Sequence, residues 1–173
     1  MTAADVQNAL ESVSNANDAT FLQRFFKTGL GQYGEGDIFI GVRVPATRKV
    51  CKRYATLALN ELQILLDSPV HEHRLAGLII SAQQFPQASL QDKTALYDFY
   101  LHNLATGRIN NWDLIDTSSE YILGAYLKDN PKDVLYTLAH SDSLWERRAA
   151  MLATFAYIKS GDATDAIKIA EIL

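Results

Sequence analysis

The chain has 173 residues, of which 48% are hydrophobic and 21% charged, the length and apolar content of one globular domain with a core (1–173), so disordered, collagenous and low-complexity classes are excluded. Its formal charge of −4 argues, as an average, against a surface that clings to nucleic acid or to anionic membranes. Cys51 is the single cysteine, the N-terminal MTAADVQNALES has no basic or apolar leader, and no apolar run approaches the ~18 residues of a membrane span, so a soluble cytoplasmic protein without disulfides is expected.

Apolar residues recur at three and four along the chain, and only residues 36–44 read as extended, which predicts an all-α fold. Val6, Leu10 and Val13 mark a first amphipathic helix. Asp18 is the expected cap of a second, with Phe21, Leu22, Phe25 and Phe26 as its buried stripe and Gly29 as its stop. Pro45 then sits at the first position of a helix that turns Val50, Tyr54 and Leu57 inward, and Asn60 or Glu61 opens another. Five longer or paired helices follow. Their starts are read at Ser68-Pro69, at Ser89 with Asp92, at Asn111, at Asn130-Pro131 and at the capping box Ser143-x-x-Glu146, and their ends near Phe85, Leu104, Leu127, Ala139 and Lys159. Asp162 opens a last one with Ile167, Ala170, Ile172 and Leu173 as its apolar face.

These segments pair into three helical hairpins. His71-Glu72-His73-Arg74-Leu75-Ala76 and Trp145-Glu146-Arg147-Arg148-Ala149-Ala150 carry acid, arginine and alanine at the same offsets, with Trp112-Asp113 as the aromatic and acid of a middle copy. The intervals from 71 to 112 to 145 suit stacked helix pairs of the HEAT or armadillo kind, so an α-solenoid of HEAT-like hairpins is the expected architecture.

Charge is unevenly spread. Residues 1–20 carry −3 and residues 21–60 carry +5, from Arg24, Lys27, Arg43, Arg48, Lys49, Lys52 and Arg53 against only Glu35 and Asp37. On the helix begun by Pro45, Arg48 and Lys52 point outward and Lys49 and Arg53 flank the buried stripe. Such a strip is either a solvated helix face or a surface that tracks phosphates.

Gly29-Leu30-Gly31-Gln32-Tyr33-Gly34 spells G-x-G-x-x-G, but a helix precedes it where a dinucleotide fingerprint needs a strand, so the glycines read as turn residues. His71, His73, His102 and His140 form no metal-binding spacing, and Cys51 reads as a core residue rather than a nucleophile; no metal and no cofactor is expected. A helix starting at Asn111 places Trp112 and Asp116 on one face in its first turn. Asp113 and Asp116 could equally serve the helix N-terminus, and Trp112 could anchor packing. Arg148, near the start of a later long helix, is either their neighbour or a surface charge.

The segments Arg24-Phe25-Phe26-Lys27, Gly36 to Pro45, Asn111 to Asp116 and Asp142 to Ala150 together resemble the AlkD-type DNA alkylation repair proteins, HEAT-like solenoids that act as DNA glycosylases on N-alkylated purines. The resemblance runs from about Phe21 to the C-terminus. It implies that Asp116 is the catalytic carboxylate, that Trp112 meets the DNA backbone and deoxyribose at the lesion, and that Arg148 binds a phosphate beside it. Arg48, Lys49, Lys52 and Arg53 become a DNA-facing helix, and Phe25, Lys27 and Arg43 line the groove. It further implies a monomer that acts on duplex DNA without membrane or cofactor and reads the lesion while the base stays stacked. The family continues for further helices, including one more active-site tryptophan that no residue of this sequence supplies. The rival readings are a non-catalytic HEAT-repeat protein for unusual DNA structure and a HEAT scaffold for proteins.

Overall fold

Residues 1–173 are all described by the computed structural model, whose regular elements are helices, with one isolated parallel bridge between Ile38 and Val70 in addition. Packing groups the chain into two units, Met1–Gln84 and Phe85–Leu173. Helical hairpins lie within each, so the all-α class and the hairpin repeat expected from the periodicity both hold.

The first unit begins with α1 (Ala3–Glu11), closed by a reciprocal capping box in which Thr2 and Asp5 satisfy each other's backbone N–H groups. It buries Ala3, Val6 and Leu10; Val13 lies beyond its end and is exposed. The next helix, α2 (Ala16–Gln23), departs from expectation: Asn15, not Asp18, caps it, accepting from the N–H groups of Asn17 and Asp18. It buries no residue, and Phe21 and Phe25 face solvent. The reason is a backbone contact. Gly41 adopts φ +80°, and a Cβ there would stand 2.0 Å from the Asn15 carbonyl oxygen, so α2 is approached by main chain rather than by a row of side chains. Phe26, past the helix end, takes the inward role by packing on Phe39 and His71 with ring centroids 4.8 and 4.7 Å away.

The segment from Ile38 to Val42 is pinned on α5 (His71–Gln84). The Ile38 N–H donates to the Pro69 carbonyl and its own carbonyl accepts from His71 N–H. The buried Glu72 carboxylate collects the N–H groups of Ile40, Gly41 and Val42, which no sheet ladder satisfies. From there the chain enters α3 (Val44–Cys51) through Pro45, turns through Lys52–Tyr54, and continues into α4 (Leu59–Leu66). Helix α5 is buried from His71 through Ser81, on every face, and forms the axis of this unit with Val50, Leu57, Leu62, Leu65 and Leu66 around it. Cys51 lies in that core, and burial pushes its thiol up to about 12. It is a packing residue, as its sequence context suggested.

In the second unit, α6 (Leu90–Ala105) starts on its Ser89 cap. Asn111 caps α7 (Trp112–Ser118) by accepting from Leu114 N–H at 3.0 Å, and the helix runs on through one π turn (Glu120–Gly124) into α8 (Ala125–Leu127). Then come α9 (Asp133–Ala139), α10 (Leu144–Ala153) on its Ser143 cap, α11 (Phe155–Ile158) and α12 (Thr164–Ile172). The expected apolar face of the last helix is corrected: Ala166 and Ile169 are buried, whereas Ile167 and Leu173 face solvent. Tyr100, Leu114, Ile115, Ile122, Leu123, Leu127, Leu135, Ala149 and Ala150 form the core. No helix of the chain is long and apolar enough to cross a membrane.

Candidate active site

Helix α7 presents Trp112 at its first position, 37% exposed, and Asp116 one turn later on the same face. The site they make is completed from α10. Arg148 donates from Nε to Asp116 Oδ1 and from Nη2 to Oδ2, both at 2.7 Å, a bidentate fork on a carboxylate that remains about two-fifths exposed (side chains 40% and 39%). That hydrogen bonding holds the Arg148 guanidinium above its ordinary value. Sequence spacing put Trp112, Asp116 and Arg148 forward as candidates; the fold brings the last two into direct contact across two helices.

The pairing fixes the carboxylate without using it up. Each Asp116 oxygen keeps a further lone pair for a water molecule, and a guanidinium has five N–H donors, of which two are engaged here. Arg148 can therefore bind a phosphate oxygen while still orienting Asp116. An exposed indole and an oriented carboxylate on one helical face both attract positive charge, the first by its ring quadrupole and the second by Coulomb attraction.

The remaining candidates lie in the first unit. Arg48 and Lys49 on α3, and Lys52 and Arg53 on the turn after it, are all exposed, with the Arg53 guanidinium 5.7 Å from the Tyr54 ring centre. Phe25, 57% exposed, meets Phe21 edge to face at 5.4 Å, and Arg24 sits over the Phe21 ring. Lys27 is exposed in the segment that follows. Arg43 is exposed but engaged: it forks onto Asp18 at 2.9 and 2.7 Å, which holds the Asp18 carboxyl below the usual carboxylate range.

A sequence profile described as DNA alkylation repair enzyme matches residues 6–173. The chain belongs to this family. No curated protein matches it. Membership in a family of DNA alkylation repair enzymes gives the chain a role in DNA repair and makes DNA its partner. For a repair enzyme, a concentration of exposed cations in residues 24–53 and a solvent-facing Trp, Asp and Arg group are coherent features.

Two structural features near the candidate residues escaped the sequence reading. Glu72, which organises residues 40–42, looked like one acid of a repeated motif; its only signal was an acid in the first turn of a helix whose later residues, Leu75 to Ile80, are apolar or small. Ser119, whose hydroxyl donates to the Ala149 carbonyl at 2.7 Å, joins the two helices that carry Asp116 and Arg148. Its signal was the small pair Ser118-Ser119 in mid-helix, five residues before Gly124.

Proposed function

We propose that this chain hydrolyses the N-glycosyl bond of cationic alkylpurines, such as 3-methyladenine and 7-methylguanine, in duplex DNA, acting as a monomeric HEAT-like solenoid. The observation that carries the reading is the bidentate Arg148–Asp116 pair standing exposed beside Trp112. An N-alkylated purine already bears positive charge, so it leaves without a general acid: the bond from C1′ to the base nitrogen breaks, its electron pair neutralises the base, and the sugar becomes an oxocarbenium-like cation. Asp116 and the face of Trp112 stabilise that cation. Water held by Asp116 adds to C1′ and gives up its proton through the carboxylate to solvent, while Arg148 grips a neighbouring phosphate. The cations at Arg48, Lys49, Lys52 and Arg53, together with Lys27 and Arg43, follow the backbone, and Phe25 packs in the groove. No step calls for a cofactor.

Alkylated duplex DNA is incubated with the protein and with Asp116→Asn, and free 7-methylguanine and 3-methyladenine are separated by chromatography. Release by the wild type, reduced on the order of 10²–10³-fold in the variant, is expected from losing one charge-stabilising group. No release above the uncatalysed rate by the wild type overturns the glycosylase reading and leaves a non-catalytic DNA-binding role.

A further inference from the structure

Asp116 and Arg148 come from different helices, so their 2.7 Å fork depends on the register of α7 against α10. That register is set in the buried layer below. The helix after Asp116 is not uniform: Gly124 N–H donates to the Ser119 carbonyl, an i to i+5 bond that makes one π turn. At its far end Gly124 lies directly on α10. A Cβ there would stand 2.2 Å from the Ala153 carbonyl oxygen, so the two main chains touch at that point and no side chain separates them.

At its near end stands Ser119, wholly buried. Its hydroxyl donates across the interface to the carbonyl of Ala149, the residue that follows Arg148, and its own N–H donates to the Ile115 carbonyl, beside Asp116. The buried Tyr100 hydroxyl interacts with both Ser118 and Ser119 from α6. Ser118 is the natural contrast: equally buried and adjacent in sequence, it donates at 2.6 Å to Leu114 of its own helix. Of the two serines, Ser119 alone donates from the acid-bearing helix to the arginine-bearing one.

We infer that Ser119 is a positioning residue, whose hydroxyl bond to Ala149 fixes Arg148 in register with Asp116 and so sets the geometry of the carboxylate. Its catalytic consequence rests on the glycosylase reading; the geometric claim does not. The side chain is fully buried, and it acts through the backbone beside Arg148.

The test uses Ser119→Ala, with Ser118→Ala as the control for loss of a buried hydroxyl. The Arg148 Nε–H resonance, assigned by its disappearance in Arg148→Lys, is followed by proton–nitrogen NMR. A separate, slowly exchanging signal is expected in the wild type and in Ser118→Ala, and its loss in Ser119→Ala. In alkylpurine release, Ser119→Ala is expected to lower kcat roughly tenfold to a hundredfold, as small misplacements of a catalytic group do, with affinity for the DNA lowered by no more than the single phosphate contact of Arg148. Ser119→Cys, which keeps the volume and weakens the donor, is read in the same way should Ser119→Ala not fold. An Arg148 signal unchanged in the Ser119 variant, or lost equally in Ser118→Ala, overturns the inference. A wild type that releases no base sinks the glycosylase reading alone, since the NMR arm still decides the positioning.

Discussion

Two arginines stand at the same offset in two similar helices, Arg74 in His71-Glu72-His73-Arg74 and Arg148 in Trp145-Glu146-Arg147-Arg148, and each meets an aspartate. In the first unit the Arg74–Asp37 pair is 2.6 Å long with side chains only 6% and 7% exposed; in the second, Arg148–Asp116 has side chains 40% and 39% exposed. The preceding acid diverges in the same way. Glu72 is buried and occupied by three backbone N–H groups, whereas Glu146 sits half-buried in the first turn of α10. One sequence pattern thus serves two purposes, and burial decides which. Surrounded by protein, the pair holds a loop in place and is inaccessible to any ligand; open to solvent, the same chemistry has spare donors and lone pairs to offer a substrate.

The sharpest way to break the comparison is to remove the aspartate from each pair. Asp37→Ala takes the carboxylate from a buried guanidinium and is expected to destabilise the protein by about 3–5 kcal/mol, the usual penalty for breaking a buried ion pair. Asp116→Ala removes a solvent-exposed partner and should change stability by no more than ~1 kcal/mol while lowering base release at least as far as Asp116→Asn does. Urea unfolding of both variants beside the wild type measures this. Equal losses would mean that the exposed pair is structural, and the distinction drawn from burial would collapse.

A smaller effect sharpens the same contrast through pH. His73, beside Arg74, is buried, with Nδ1 at 2.9 Å from Ser68 Oγ and Nε2 without a partner. Burial holds its pKa below the ordinary 6.5, an effect that Glu11 and Glu72 partly offset. The unfolded chain therefore takes up this proton first as pH falls. The stability His73 contributes is full above pH ~6.5 and is lost as pH drops toward the folded-state value. Urea midpoints measured from pH 7.5 down to 5 should fall more steeply in the wild type than in His73→Gln, and parallel curves would exclude His73 as the source.

Much of this contrast was legible in the sequence, but not the burial that creates it. Caps such as Ser89, Asn111 and Ser143 act locally, so they could be read from a few residues, and with them the helices that carry Trp112, Asp116 and Arg148. The repeat pattern gave Arg74 and Arg148 equal standing because pattern records residue type and offset, not what is packed above the side chain. The stripe of Phe21 and Phe25 misled for a related reason: apolar periodicity predicts a buried face only where another element brings side chains to meet it, and here Gly41 brings bare backbone. The link through Ser119 joins residues 30 apart, and no local signal reports such a contact.

The smallest effects concern the cations of the first unit, where engagement rather than burial separates the groups. Arg48 and Lys52 are exposed on α3 and the turn that ends it, so Arg48→Ala with Lys52→Ala should weaken DNA binding and flatten the plot of log affinity against log salt by up to about 1.8, the release expected for two phosphate contacts. Arg43 is instead held by Asp18 in a fork that competes with phosphate. Asp18→Asn keeps an acceptor for Arg43 but removes the competing charge, so it should strengthen DNA binding and steepen the same plot by up to about 0.9. Opposite signs from two substitutions in one basic surface are hard to obtain from general destabilisation, which would weaken binding in both. An unchanged slope in Asp18→Asn would place Arg43 outside the DNA interface and leave its pairing with Asp18 as a surface contact between α2 and the start of α3.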